Sequence, residues 1–330
     1  MKIYIYKVFS LFLFLFSVFS FSQKFIEKFE IDSITYLHKE IKKKKRIVNF
    51  IEATNNDNNP KDLIIFIQGS NVTPLISEDE GGKFLIIPFE IKNYLKDNLF
   101  LFVSKPFIPI FKNAKDLDEN YNIIDKKILY DYQKLNTLNV LLSDIYEIIK
   151  KYSKSPNVRN IYIIGHSQGA RIAAALNEKK IKKTAILSVN LYGRFQEEIS
   201  NLRFNNLLNK QYLKDGDAIY SNYKNLKNAV LIGNDENTLS NISYKSFSFP
   251  TTISFLVKKQ NPVLIVYGGK DVGVSFSNDL ARFEFLNNRK DNIFFKVYNK
   301  LNHNFEEENE KEKKFYWQEV FEDVIIWLKQ

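Results

Sequence analysis

One ten-residue run, Ile161-Tyr-Ile-Ile-Gly-His-Ser-Gln-Gly-Ala170, narrows the folds open to this chain more than any other feature. Its opening apolar β-formers read as a strand buried on both faces, a pattern of parallel sheets covered by helices on either side. Behind it, Ala170 to Leu176 carries the small residues a helix needs to lie close against a sheet. Between the two stands Gly165-x-Ser167-x-Gly169. Glycine two residues either side of the serine lets the backbone turn sharply and the helix pack tightly. The serine at the apex is thereby pushed into a strained, exposed position. The run reads as a nucleophile elbow with Ser167 as the candidate nucleophile.

The rest of the pattern fits an alternating α/β chain. Strands are expected at Phe29 to Leu37 and Arg46 to Ile51 as an antiparallel lead-in, with a turn at Asn55 to Pro60. Further strands are expected at Asp62 to Ile67, Phe84 to Ile87 and Leu99 to Val103, the last stopping before Pro106. A single helix is expected from Leu129 to Tyr152, where apolar residues recur at helical spacing. Beyond the elbow come strands at Ala185 to Leu191, Val263 to Tyr267 and Ile293 to Tyr298, with helices at Ser275 to Leu286 and Phe315 to Leu328. Right-handed crossovers then give a doubly wound, mostly parallel sheet with its site at the C-terminal ends of the strands.

The elbow in this setting resembles that of the α/β-hydrolase superfamily, whose triad follows in chain order serine, acid, histidine. Of the three histidines, His38 lies in the lead-in, and His166 sits inside the elbow with its side chain directed away from the reactive face of Ser167. His303 follows the strand Ile293 to Tyr298 on a loop before the last helix, the place the resemblance implies for the catalytic histidine. Gly268-Gly-Lys-Asp271, at the end of the buried strand Val263 to Tyr267, is similar to the family turn that carries the acid. Asp271 would then orient the imidazole of His303 and stabilise its charged form. Capping of the following helix is the other role open to Asp271. In some relatives the acid ends the strand after the elbow; here that region offers Asn190 and no carboxylate before Glu197.

The resemblance also implies an oxyanion hole. The backbone N–H of Gln168, directly after the nucleophile, is one expected donor. The loop Gln68-Gly69-Ser70-Asn71 supplies the other where relatives often have His-Gly, leaving Gly69 for the turn and the Ser70 N–H as donor. The segment from about 193 to 261 is polar and longer than one connecting helix requires, so a cap or lid insertion is expected. Phe195, Tyr212, Tyr220, Tyr223, Phe247 and Phe249 are its aromatic candidates for a pocket wall, though ordinary packing within the insertion is the favoured role for any one of them.

With 330 residues and 45% apolar content the chain can bury one substantial core. The formal charge of +10 is spread along the chain, densest at Lys42 to Arg46, and no nucleic-acid motif accompanies it. A nucleic-acid partner is therefore not expected, and a small molecule or peptide is the expected substrate. No histidine cluster with zinc-ligand spacing and no glycine-rich phosphate loop occurs, so neither metal nor cofactor is expected. Nothing in the pattern specifies an oligomeric state.

Lys2 and Lys7 precede the apolar stretch Val8 to Phe21, with Ser20 and Ser22 ahead of Gln23. This reads as a signal peptide over residues 1–22, leaving 23–330 as a periplasmic or secreted domain without stable membrane insertion. An uncleaved anchor is the alternative. The absence of cysteine rules out lipoprotein attachment and disulfides.

Taken together, the expectation is an exported serine hydrolase acting through an acyl-enzyme. The resemblance extends to dienelactone-hydrolase-like esterases and to the catalytic domain of prolyl-oligopeptidase-like peptidases. It also touches acyl-CoA thioester hydrolases, whose substrate is not expected outside the cytoplasm. Esterase is favoured over peptidase because too few residues precede the first strands for a propeller. A hydrolase-fold binding protein without turnover is the alternative of a different class.

Overall fold

The computed structural model describes residues 26–44, 46–55, 59–209, 215–308 and 312–330. The expected signal peptide and Tyr212 lie outside the described residues, as does part of the turn expected at 55–60.

Strand β1 (Glu27–Ile31) and strand β2 (Ile34–Lys42) form a hairpin where one continuous strand is expected. The break falls at Asp32 and Ser33, whose φ values of 50° and 65° suit a tight two-residue turn between antiparallel strands. Strands β3 (Ile47–Thr54) and β4 (Lys61–Ile67) follow. Then come β5 (Ile76–Asp79), β6 (Gly82–Leu85), β7 (Asn98–Val103) and β8 (Phe111–Asn113). The strand expected at Phe84 to Ile87 is β6, and it belongs to a small separate sheet ordered β6-β5-β8. Its residues are only half-buried, so it has no place in a doubly covered sheet.

Helix α1 (Lys126–Leu135) and helix α2 (Leu138–Tyr152) replace the single helix expected there. Asn136 leaves the helical region and the Thr137 side chain accepts from the Val140 N–H, starting α2 afresh. Strand β9 (Val158–His166), helix α3 (Gln168–Ala175) and strand β10 (Ile181–Leu187) form the elbow unit. Four helices follow: α4 (Arg194–Asn209), α5 (Asp217–Asn228), α6 (Glu236–Ser248) and α7 (Thr252–Leu256). Strand β11 (Val263–Gly268), helix α8 (Ser275–Asn287) and strand β12 (Ile293–Tyr298) return to the sheet. A short hairpin of β13 (Glu306–Glu308) and β14 (Lys313–Phe315) precedes the last helix, α9 (Trp317–Lys329).

The main sheet runs β1-β2-β3-β7-β4-β9-β10-β11-β12. Its β1, β2, β3 and β7 pair antiparallel, and from β7 onward all neighbours are parallel. The uninterrupted apolar runs are explained by burial on both faces. Leu63, Ile65, Ile161, Ile163 and Ile265 pack with α2 and α3 on one side, whereas Ile64, Phe66, Ile164 and Val266 pack with α9 on the other. Each such side chain contributes roughly 1.5–3 kcal/mol by leaving water. The elbow helix is also held at its far end, where buried Lys259 donates to the carbonyls of Ala173 and Leu176 at 2.8 and 2.7 Å. These are acceptors that a helix C-terminus leaves without partners.

Candidate active site

Ser167 stands between β9 and α3 with φ 54° and ψ −115°, outside the conformations an ordinary residue prefers. Its neighbours show why the spacing needs glycine. A methyl group at Gly165 would lie 2.3 Å from the Gly169 carbonyl oxygen, and one at Gly169 would lie 2.0 Å from that of Ile67. The start of α3 is thus seated directly on the end of β4. The Ser167 N–H donates to the Leu187 carbonyl at 2.8 Å, tying the bend to β10.

His303 comes to this point from the loop after β12. Its Nε2 lies 3.2 Å from Ser167 Oγ and its Nδ1 lies 2.7 Å from Asp271 Oδ2. The carboxylate can only accept at neutral pH, so Nδ1 carries the proton and Nε2 is left free to take the hydroxyl's. Asp271 is buried and its side chain does not cap α8, which begins without a side-chain cap. Close backbone contact sets the pairing: a methyl group at Gly268 would lie 2.1 Å from the Leu301 carbonyl oxygen, and one at Gly269 would lie 2.7 Å from that of Asn299.

Burial opposes charge on His303, but the hydrogen bond to Asp271, the charge of Asp271 and the charge of Glu197 outweigh it and raise its pKa above the ordinary value. Glu197, in the first turn of α4, is itself pushed up, chiefly by burial. It is not the hydrogen-bonded acid but a second carboxylate beside the imidazole.

His166 lies closer to the site than expected. Its Nε2 lies 3.2 Å from the His303 carbonyl oxygen and its ring packs edge-on against Trp317 at 4.9 Å. A carbonyl only accepts, so His166 donates from Nε2. Burial and the neighbouring His303 push its pKa down to about 3. The elbow's own histidine thus ties down the loop carrying His303. His38, by contrast, pairs with Asn49 on the lead-in strands.

A cavity of about 270 Å³ opens over Ser167 and His303, with Ser70, Gln168, Asn190 and Glu197 in its wall. The Gln168 N–H belongs to the first turn of α3, which has no i−4 partner inside the helix and so points its donors outward. Gly69 lies against Ser167: a methyl group there would be 3.4 Å from its Cβ. All three expected oxyanion residues are thus gathered at the serine. Of the cap aromatics, Phe247 reaches the cavity. Phe195, Tyr223 and Phe249 instead stack on one another and on Tyr244, with ring centres 5.1 to 5.9 Å apart, and Tyr220 is exposed.

Asn190 was legible only as a missing carboxylate, yet it is a hub. Its Oδ1 accepts from the N–H groups of Tyr192 and Gly193, and its Nδ2 donates to Ser277 Oγ at 3.0 Å, joining β10, the helical insertion and α8. No sequence signal marks it.

Comparison with protein-family models and with curated proteins finds no match. Among solved structures, the chain is similar to a Klebsiella pneumoniae protein assigned as a dienelactone hydrolase. The TM-score is 0.54 at 13% identity, over 91% of this chain and 100% of that one. It is also similar to Est1E from Butyrivibrio proteoclasticus, at TM-score 0.51 and 18% identity, over 88% and 97%. The chain has the α/β-hydrolase fold. A Pyrococcus horikoshii acylaminoacyl peptidase matches at TM-score 0.49 and 12% identity, over 83% of this chain but only 38% of its own. At these identities the likeness is one of fold, and chemistry rests on the site.

Proposed function

We propose that this α/β-hydrolase-fold chain is an exported serine hydrolase that cleaves an ester or amide through an acyl-enzyme, with esters favoured. The observation that carries the reading is the continuous relay from Ser167 Oγ to His303 Nε2, 3.2 Å, and from His303 Nδ1 to Asp271, 2.7 Å. As Ser167 Oγ bonds to the substrate carbonyl carbon, His303 Nε2 takes its proton and the carbonyl oxygen becomes an anion facing the Gln168 N–H. Collapse breaks the bond to the leaving group, which receives that proton from His303. A water then repeats the sequence: His303 takes its proton, the hydroxide attacks the acyl carbon, and Ser167 leaves as the reprotonated hydroxyl. Export rests on the charged, apolar and small-residue regions of residues 1–22. The segment from about 193 to 261 is read as the cap over the site.

The test is labelling of the full chain with a fluorophosphonate, alongside a screen of short esters, amides and dipeptide anilides. Wild type should be labelled and turn over members of the screen, and Ser167→Ala should do neither while keeping its fold by circular dichroism. A folded wild type that is neither labelled nor active would instead support a binding protein. Labelling that survives in Ser167→Ala would place the nucleophile elsewhere.

A further inference from the structure

The cavity over Ser167 carries positive charge that the proton relay does not use. Arg171 follows Ser167 by four positions, so one turn of α3 brings its side chain to the serine's face of the helix. It is 4% exposed and lines the cavity. Its Nη1 donates to Thr252 Oγ1 at 2.8 Å, its Nη2 donates to the Pro250 carbonyl, and the group sits 5.6 Å from the Phe255 ring centre. The buried Nε–H has no partner. No carboxylate pairs with Arg171 among the described residues.

Arg194, at the start of α4, lines the same cavity, lies 4.6 Å from the Tyr244 ring centre and likewise has no ion pair among the described residues. Burial and the nearby charge of Arg194 pull Arg171 down only to about 10, so it is still a cation at neutral pH. Two neutral acceptors satisfy some of its donors, but they bring no negative charge, and an unpaired buried cation is costly. The one acidic residue of the cavity wall, Glu197, feels the charges of His303, Asp271 and Arg194, and makes no ion-pair contact with either arginine among the described residues. Ser188 adds a further donor to this wall: it is buried, has φ 50°, and its Oγ has no partner.

We propose that the cavity receives a carboxylate of the substrate, held by Arg171 and Arg194 with Ser188 Oγ beside them. The hydrolase then acts on short esters or amides that bear an anionic group. A guanidinium complements a carboxylate in charge and donates charge-assisted hydrogen bonds to it, and a cavity of about 270 Å³ suits a small acyl or leaving group. The inference rests on the serine-hydrolase reading for its chemistry, but not for binding.

Two substrate pairs test it, one on each side of the scissile bond. Mono-para-nitrophenyl glutarate is compared with its methyl ester, and para-acetoxybenzoate with methyl para-acetoxybenzoate. In at least one pair the free acid should have a kcat/KM roughly tenfold or more above its neutral ester, as expected for a charged hydrogen-bonded partner. Arg171→Met and Arg194→Gln should each collapse that ratio through KM, whereas Lys224→Gln, an exposed cap cation on α5, should leave it unchanged. Arg171→Met also loses its ties to Pro250 and Thr252; should it not fold, Arg194→Gln and a binding measurement decide. In that measurement Ser167→Ala is titrated calorimetrically with glutarate at millimolar concentration, with and without Arg194→Gln. Binding that depends on Arg194 supports the site. Neutral esters preferred in both pairs, or glutarate that fails to bind Ser167→Ala or binds regardless of Arg194, would overturn it. Fluorophosphonate labelling without acid preference overturns the carboxylate site alone, whereas glutarate binding without labelling overturns the hydrolase reading and leaves the site standing.

Discussion

Replacing Gly169 by alanine sets two effects against each other. Helix propensity alone favours alanine inside α3 by about 1 kcal/mol. Against this, the added methyl would lie 2.0 Å from the Ile67 carbonyl oxygen and 2.5 Å from that of Gln68, where real contacts are not found under 3.0 Å. Both obstacles are backbone, so no rotamer relieves them. Helix α3 must lift from β4 by about 1 Å, the difference between 2.0 and 3.0 Å. Ala170, Ile172 and Ala173 are buried beneath it and would lose packing as it moved. Overpacking of this kind costs typically 1–3 kcal/mol and more where nothing can yield, so Gly169→Ala should be destabilised by about 2 kcal/mol or more after propensity is subtracted. The same displacement carries Ser167 away from His303, and about 1 Å there can cost roughly 100-fold in rate. Urea unfolding of purified wild type and variant gives the first quantity, and the rate of fluorophosphonate labelling gives the second. A variant as stable as wild type and labelled at the same rate would refute the claim that close approach of α3 to β4 sets the elbow.

Two further outcomes follow from the relay. Asp271→Asn should lower turnover by roughly 10⁴ by favouring the wrong imidazole tautomer; a fall under tenfold in steady-state assays would point to a different carboxylate, with Glu197 the next to test. Because the free enzyme needs a neutral His303, whose pKa is raised above the ordinary 6.5, the acidic limb of kcat/KM should lie above that value, and activity should fall as pH drops through it. Removing the charge of Glu197 with Glu197→Gln removes one of the influences that favour the imidazolium, so the limb should move to lower pH. Since Glu197 interacts with the same group, the limb belongs to the coupled set. A limb that stays in place or moves upward in pH–rate profiles would show that Glu197 does not act on His303.

The parts legible in the sequence are those fixed by local constraint. Gly165 and Gly169 meet backbone within about two ångströms, so their spacing around Ser167 announces the bend. Strands β4, β9 and β11 are buried on both faces, so their composition announces them. His303 and Asp271 were found through chain order and a glycine turn, and Gly268 and Gly269 prove to be pressed against the histidine loop. What was hidden depends on distant partners. The break between α1 and α2 is stabilised from outside, where Ser246 Oγ accepts from the Leu138 N–H at 3.1 Å and Asn136 Oδ1 accepts from Gln168 Nε2 at 3.4 Å. The helices between β10 and β11 bury aromatic faces against one another, Phe195 on Tyr244 and Tyr223 on Phe249, so a polar, Asn-rich segment conceals its own packing.

Charge shows the same limit from the other side. A net charge of +10 spread along the chain gives no reason to single out any basic residue, yet Arg171 on the elbow helix and Lys259 against its C-terminal end are both buried. Lys259 donates to the carbonyls at the C-terminal end of α3, the negative pole of the helix. Arg171 has no such answer, since its two acceptors are neutral and its Nε–H has no partner. The spacing of four is visible in the sequence and puts a guanidinium one turn from Ser167. Periodicity, however, assigns a residue only to a face, and the face matters here because α7 and the loop before it enclose that guanidinium beside the serine. The segment from Pro250 to Thr252 thus does two things at once: it removes Arg171 from water, and it leaves beside Ser167 a charge that, in the proposed reading, a substrate of opposite sign neutralises.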